Sequence, residues 1–227
     1  MSYCNIDTLQ EIRNKRVLFY DLETTGIIRT PINTKPENEY PDFRDLEKYK
    51  NARIVSIGWL YMEDFDYDYD ITIDNINERI IKPCNFIIPD ESIKFHGITN
   101  EKANNEGKPM DKVLKKIGKL IEKSDYIIGY NIYFDINILL SELRRLRKDV
   151  TIDKILELKK EEKIVCIGQI LAQNIKPKGW KKYYKYQIPK LIDSYKTCFK
   201  QELDNAHDAK FDILATIKLM FYLYSLD

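Results

Sequence analysis

Residues 17–21, Val-Leu-Phe-Tyr-Asp, form an apolar run that ends in an acid and passes directly into Leu-Glu-Thr-Thr-Gly at 22–26. A short apolar run bounded by polar residues reads as a buried strand. Strand side chains alternate between faces, so Asp21 and Glu23 point the same way. Two carboxylates held on one face at a strand end either repel each other or share a cation. Carboxylate oxygens are preferred ligands of Mg²⁺ and Mn²⁺. Alone, Asp-x-Glu is a common pair of solvated charges. Here it closes an apolar strand and leads into Gly26, where a missing side chain permits a backbone turn toward a ligand.

The rest of the chain reads as alternating strands and helices. Arg53–Met62 is a second strand, and a third is expected around Glu78–Cys84. Thr99–Ala103 opens a short helix, and Met110–Lys123 carries Val113, Leu114, Ile117, Leu120 and Ile121 at amphipathic spacing. Tyr126–Tyr130 is another apolar run, followed by helices expected at Phe134–Arg147 and about Ala209–Tyr224. Strands interleaved with helices in this order predict an α/β fold with a mixed sheet. Residues 29–52, with Pro31, Pro36 and Pro41, read as a long excursion without regular structure. The acidic run at 63–70 reads as a solvated connection that repels nucleic acid or meets a partner.

Two further clusters carry possible chemistry. Asp135 follows the Tyr126–Tyr130 run in Asn131-Ile-Tyr-Phe134-Asp135, in the first turn of an expected helix. On its own it would only complement the positive end of that helix dipole, and Asn131 would be its cap. In Ala-His207-Asp-Ala-Lys-Phe-Asp212 the two reactive side chains are five residues apart. On an ideal helix they would lie about 140° apart. They address one point only if His207 precedes the helix and Asp212 falls in its early turns, with Asn205 or Asp208 as the cap.

Taken in order, Asp-x-Glu-Thr-Thr-Gly, Asn-x-x-Phe-Asp and His-x4-Asp resemble the three motifs of the DEDDh branch of DnaQ-like 3′→5′ exonucleases. That family has the ribonuclease H-like fold and includes proofreading epsilon subunits and RNase T. The resemblance spans about 17–225 and includes Phe95-His96-Gly97-Ile98-Thr99, similar to the family's HGIT segment. Asp208 stands where the sister DEDDy branch has tyrosine, which excludes that branch.

The resemblance implies an α/β, ribonuclease H-like fold with a central mixed five-stranded sheet flanked by helices. It makes Asp21, Glu23, Asp135 and Asp212 ligands of two divalent cations (Mg²⁺ or Mn²⁺), and His207 the general base. It places Thr24, Thr25, Gly26, Phe95, His96 and Ile98 along the terminal-nucleotide pocket, with Asn131 and Phe134 shaping the site. Phe95 and Ile98 are equally well placed to be core residues. The implied activity is hydrolysis of nucleic acid from its 3′ end to nucleoside 5′-monophosphates, with DNA favoured and single-stranded or frayed ends preferred. Two alternatives stay open: a 3′→5′ exoribonuclease of oligoribonuclease type, and a non-catalytic nucleic-acid-binding module.

Composition bears on the partner. The 37 Lys+Arg and 36 Asp+Glu give a net charge of +1, which by itself argues against a nucleic-acid binder. Their distribution argues otherwise. Residues 141–190 hold 14 basic and 6 acidic side chains. Within them, 176–190 interleaves six lysines with Trp180, Tyr183, Tyr184 and Tyr186. Lys181 and Lys182 can follow phosphates while Tyr183 stacks on an unpaired base. The alternative is a solvated lysine-rich loop with its aromatics docked on the domain.

The four cysteines are far apart with no Cys-x-x-Cys pair, so reduced thiols in an intracellular protein are expected. The charged first sixteen residues do not fit a signal peptide. The longest apolar run, Ile54–Met62, is about half a bilayer span. The reading is therefore one domain over 1–227, cytoplasmic or at the nucleoid or nucleus, neither secreted nor membrane-bound. A polymerase or other replication or repair partner is not identifiable.

Overall fold

The computed structural model describes residues 5–28, 40–175, 188–204 and 206–226. Its centre is β1 (Val17–Thr24), which extends the expected strand through the acids themselves. Antiparallel to β1 runs β2 (Ile54–Met62), and antiparallel to β2 runs β3 (Asn77–Ile80). On the other side β4 (Tyr126–Gly129) and β5 (Ile164–Cys166) are parallel to β1. The order is β3-β2-β1-β4-β5, the mixed five-stranded sheet that the motif order implied.

Period-two alternation on β1 divides the core. Leu18, Tyr20 and Leu22 face α4 (Met110–Lys123), α5 (Ile132–Arg145) and α6 (Asp149–Lys160). Val17 and Phe19 face α7 (Ile167–Asn174) and α9 (Ala209–Tyr224), with α8 (Leu191–Phe199) packed outside α9. Because α9 lies between the sheet and other helices, it is apolar on most sides. The short helices are α1 (Thr8–Glu11), α2 (Asp90–His96) and α3 (Asn100–Glu106).

Several boundaries differ from the sequence reading. The third strand stops at Ile80, before Pro83, whose ring removes a backbone donor. The helix expected from Phe134 begins at Ile132 and ends at Arg145. α2, α6 and the three-residue β5 had not been anticipated, and β5 is the fifth strand of the sheet. Thr99 does open a helix, its hydroxyl accepting from the Lys102 N–H at 3.1 Å. The acidic run 63–70 is anchored, not freely solvated. Phe65 is fully buried, the Tyr67 hydroxyl donates to the Leu9 carbonyl at 2.7 Å, and Arg13 pairs with Asp66 and Asp68.

The described part of the long excursion, 40–52, folds back as a series of turns with Phe43 and Tyr49 buried. An ion pair holds it to the helical layer. The Glu142 carboxylate on α5 is buried and accepts from the Arg53 guanidinium, with a second contact of 3.2 Å. Arg145 approaches the same carboxylate at 3.8 Å and donates to the Leu46 carbonyl at 3.0 Å. Removing one member of a buried pair strands the other charge without water or partner. Glu142→Ala is therefore expected to lower unfolding stability by about 3–5 kcal/mol, measured by urea denaturation. Arg53→Met combined with Glu142→Leu should lose clearly less than Glu142→Ala, because the uncompensated charge is then largely gone.

Candidate active site

The parallel run of β1 and β4 brings their C-terminal ends to one edge of the sheet. Asp21 and Glu23 leave β1 there, and α5 starts there after β4, with Asp135 in its first turn. Register sets the rest of that sheet face. Asp21 lies opposite Gly58, and Gly58 opposite Glu78; Glu23 lies opposite Ser56. The Ser56 hydroxyl donates to Glu78 at 2.6 Å.

α9 supplies the third wall. Asp208 caps it, its carboxylate accepting from the Lys210 N–H at 2.9 Å. Asp212 is the fourth residue of the helix, while His207 precedes it with φ 69°. This is the arrangement that the five-residue spacing demands, reached by a left-handed residue just before the cap. Asn205, the other candidate cap, lies outside the described residues. Gly58 lets the helix approach: a Cβ there would lie 3.0 Å from both Ala209 Cβ and Ile213 Cδ1.

Ligand atoms of Asp21, Glu23 and Asp212 lie within 4.8 Å of one another, so these three form a group that could hold a metal ion. Asp135, buried, is beside that group but not in it. Its charge nonetheless acts on both Asp21 and Glu23. Asp212 Oδ1 is buried without a hydrogen-bond partner. Such an atom, next to two further carboxylates, suits a cation.

The electrostatics point the same way. Part of Asp21 still meets solvent, but its dense surroundings push its carboxyl far above the usual range, and Asp135, Asp212 and Glu23 add repulsion. Burial likewise raises Asp135, with Asp212 adding to it. Glu23 is pushed up to about 9 by burial first, then by Asp212 and Asp135. Asp212 is pushed up to about 7 by burial, opposed by a hydrogen bond from the His207 backbone N–H. Asp208 and Glu78 add to the repulsion on Glu23. Neither stood out in the sequence, since only strand register and the helix cap bring them close.

The expected nucleotide-contacting residues divide. Phe95 is 65% exposed at the end of α2, and its ring meets the exposed His207 imidazole edge-on, with centroids 5.7 Å apart. His96 Nδ1 accepts from the Ile98 N–H at 3.0 Å, which puts the neutral ring's proton on Nε2. That Nε2 is buried and unpartnered, and burial with nearby His207 lowers the imidazole pKa. Ile98 is buried with Val55, Ile88 and Ala103, on the core side of its two expectations.

The Thr24 hydroxyl donates to the Gly26 carbonyl at 2.9 Å. Thr25 is buried, and its hydroxyl donates to the Asn51 carbonyl and accepts from the Arg53 N–H, each at 2.9 Å. Its hydroxyl is thus committed within the protein. Gly26 is not in the left-handed region; a Cβ would lie 3.0 Å from the Asn51 carbonyl, so close approach is what calls for glycine there. Asn131 occupies the cap position of α5, but in a left-handed conformation (φ 52°), and its side chain makes no cap bond. Phe134 is half-buried, its ring 6.4 Å from that of Tyr40. Lys181, Lys182 and Tyr183 lie outside the described residues.

A mixed five-stranded sheet with carboxylates gathered at the C-terminal edge of its central strand defines an α/β hydrolase-class domain suited to divalent cations. The exonuclease family model of the RNase T type matches residues 18–220. The chain therefore belongs to this exonuclease family, the DnaQ-like 3′→5′ exonucleases, and is a DEDDh-type hydrolase.

Solved structures share the fold. A zinc-bound complex of E. coli exonuclease I with single-stranded DNA is 17% identical, with a TM-score of 0.64, over 95% of this chain and 41% of that one. A second E. coli exonuclease I structure gives 17% identity and a TM-score of 0.65 over 93% and 41%. A moderately thermophilic exonuclease I from Methylocaldum szegediense gives 18% and 0.57 over 93% and 40%. The chain spans about two fifths of the length of these enzymes. No curated protein sequence matches it. Among the described residues no helix is long and apolar enough to cross a membrane.

Two outcomes follow from this geometry. The four acids have folded-state pKa values above the ordinary value near 4, so their stabilising contribution is complete only below about pH 4. It is lost as pH rises through about 7 for Asp212 and about 9 for Glu23. In EDTA the melting temperature should fall between pH 5 and pH 9, and Mg²⁺ should raise it more at pH 8 than at pH 5. Gly58→Ala should weaken Mn²⁺ binding by calorimetry and cost about 1–3 kcal/mol of stability, because α9 must move away from β2.

Proposed function

We propose that this chain is a metal-dependent 3′→5′ exonuclease that shortens single-stranded or frayed DNA ends. The observation that carries this reading is the Asp21–Glu23–Asp212 group with its buried, unpartnered Asp212 oxygen. In this reading Asp21, Glu23, Asp135 and Asp212 together hold two Mg²⁺ or Mn²⁺ ions, whose four positive charges the four carboxylates balance. Bound there, the cations would shield the charge that builds on the phosphate and on the departing 3′ oxygen.

His207 takes the attacking water's proton on an imidazole nitrogen, a task suited to a group with an ordinary pKa near 6.5. The new bond joins water oxygen to phosphorus, and the bond to O3′ breaks. The products are a nucleoside 5′-monophosphate and a strand one nucleotide shorter. Thr24 and Gly26 form the turn beside the terminal nucleotide, and Phe95, with its ring free on one side, stacks near it. His96 offers its Nε2–H to a phosphate or sugar oxygen. Asn131 and Phe134 bound the site at the start of α5, and Lys181, Lys182 and Tyr183 guide the strand. Thr25 and Ile98 act by shaping the pocket's walls.

DNA is favoured because exonuclease I structures of the same fold hold single-stranded DNA and a dT13 oligonucleotide. Trimming of RNA ends is the second reading, since the same acids serve either sugar. One domain spans the chain, and any polymerase partner is unidentified.

The test is a panel of 3′- and 5′-labelled DNA and RNA strands with Mg²⁺, Mn²⁺ or EDTA. Wild type should give a ladder shortened from the 3′ end that EDTA abolishes. Asp135→Asn and His207→Ala should each lower turnover by about 10²–10⁴-fold, with strand binding in EDTA changed little. Intact strands under every metal condition would defeat the reading, and turnover unaffected by either substitution would remove these residues from it.

A further inference from the structure

A groove of about 930 Å³ opens beside the Thr25–Gly26 turn, between the excursion residues 47–51 and the segment 85–91. None of the catalytic residues proposed above lines it. We infer that it is a subsite for an unpaired nucleotide of the bound strand, separate from the terminal-nucleotide pocket; this rests on the exonuclease reading.

Three observations support this. The groove is continuous with the turn that follows Asp21 and Glu23, so a strand whose end reaches the acids passes within reach of it. Its size is at the upper end of small-ligand sites and admits a nucleotide. Its surface suits a base. Ile27 and Ile87, from different segments, are 75% and 77% exposed, and no packing accounts for such large apolar side chains at the rim. Phe86 lies between them and the interior, its ring covered by the Arg53 guanidinium at 4.7 Å. Apolar and aromatic faces of this kind receive unstacked bases.

Charge selects among ligands. Lys50 is paired with Glu47 at 3.3 Å, and Lys48 and Glu91 add one charge of each sign to the lining. A balanced rim gives little attraction to a bare phosphate. It fits a neutral base in the groove, with lysine contact to the adjoining backbone. The walls are also set in advance: Thr25 is bonded to Asn51 and Arg53, and Arg53 to the buried Glu142. Little ordering is then needed on binding.

The test compares wild type with the triple variant Lys48→Ala, Lys50→Ala, Ile87→Asn, all at exposed positions. Affinity for fluorescein-labelled dT12 and rU12 is read by anisotropy in EDTA. KM is read for dT12, and turnover for p-nitrophenyl 5′-thymidylate, which reaches only the terminal pocket. The variant should bind dT12 about tenfold more weakly and show an equal rise in KM, with the chromogenic ester hydrolysed within twofold of wild type. Loss with both oligonucleotides identifies base recognition; loss with one alone identifies that strand as the ligand. Unchanged affinity for both overturns the subsite. An equal fall in ester hydrolysis also overturns it, by making these residues part of the terminal pocket. A wild type that binds dT12 through these residues yet hydrolyses nothing leaves the subsite standing and removes the exonuclease reading.

Discussion

Carboxylates crowded at one edge of a sheet are the constraint around which this molecule is organised. Asp21, Glu23 and Asp212 lie within 4.8 Å of one another, with Asp135 buried beside them, and each is driven toward its neutral form by burial and mutual repulsion. A fold arranged for stability alone would disperse them, because like charges in a poorly solvated place oppose folding. The surrounding structure holds them together through the central sheet, the approach of α9 at Gly58 and the cap at Asp208. The strain has a use once cations are present, since repulsion between ligands becomes attraction to the ion. The unpartnered Asp212 oxygen fits that account.

The outer parts of the structure support that edge. The Arg53–Glu142 pair joins the start of β2 to α5, the helix that carries Asp135, and also steadies Phe86. Thr25 connects the turn after Glu23 to residues 51 and 53. The excursion that looked like decoration in the sequence is thus continuous with the site through hydrogen bonds. On the other side, Phe95 and His207 come from segments far apart in sequence and touch across the mouth of the site. The only two histidines in the chain, His96 and His207, are electrostatically linked there.

How much of this was legible depends on the range of the signal. The apolar run before Asp21, the amphipathic spacing of 110–123 and the helix over 209–224 are local patterns, and each was found at its place. The conditional placing of His207 before a helix and Asp212 inside it also follows from helix geometry alone. β5 escaped because three residues are too few for a period to show, and α2 because its charged sequence packs chiefly through Ser92 and Ile93. The acidic run 63–70 was misjudged for a similar reason. Its charges are visible in the sequence, but Arg13, which takes up two of them, is distant along the chain.

By itself the sequence determined the identities and order of the acids, the strand and helix on which most of them sit, and the family resemblance those motifs carry. These are properties of short segments, set by alternation, helical period and capping. Only the tertiary structure decided which groups share one space. Glu78 and Ser56 join the acidic face through strand register, Thr25 turns inward to Asn51, and a groove forms between 47–51 and 85–91. Distances between remote segments arise from packing, where a glycine such as Gly58 admits a helix that any side chain would push away.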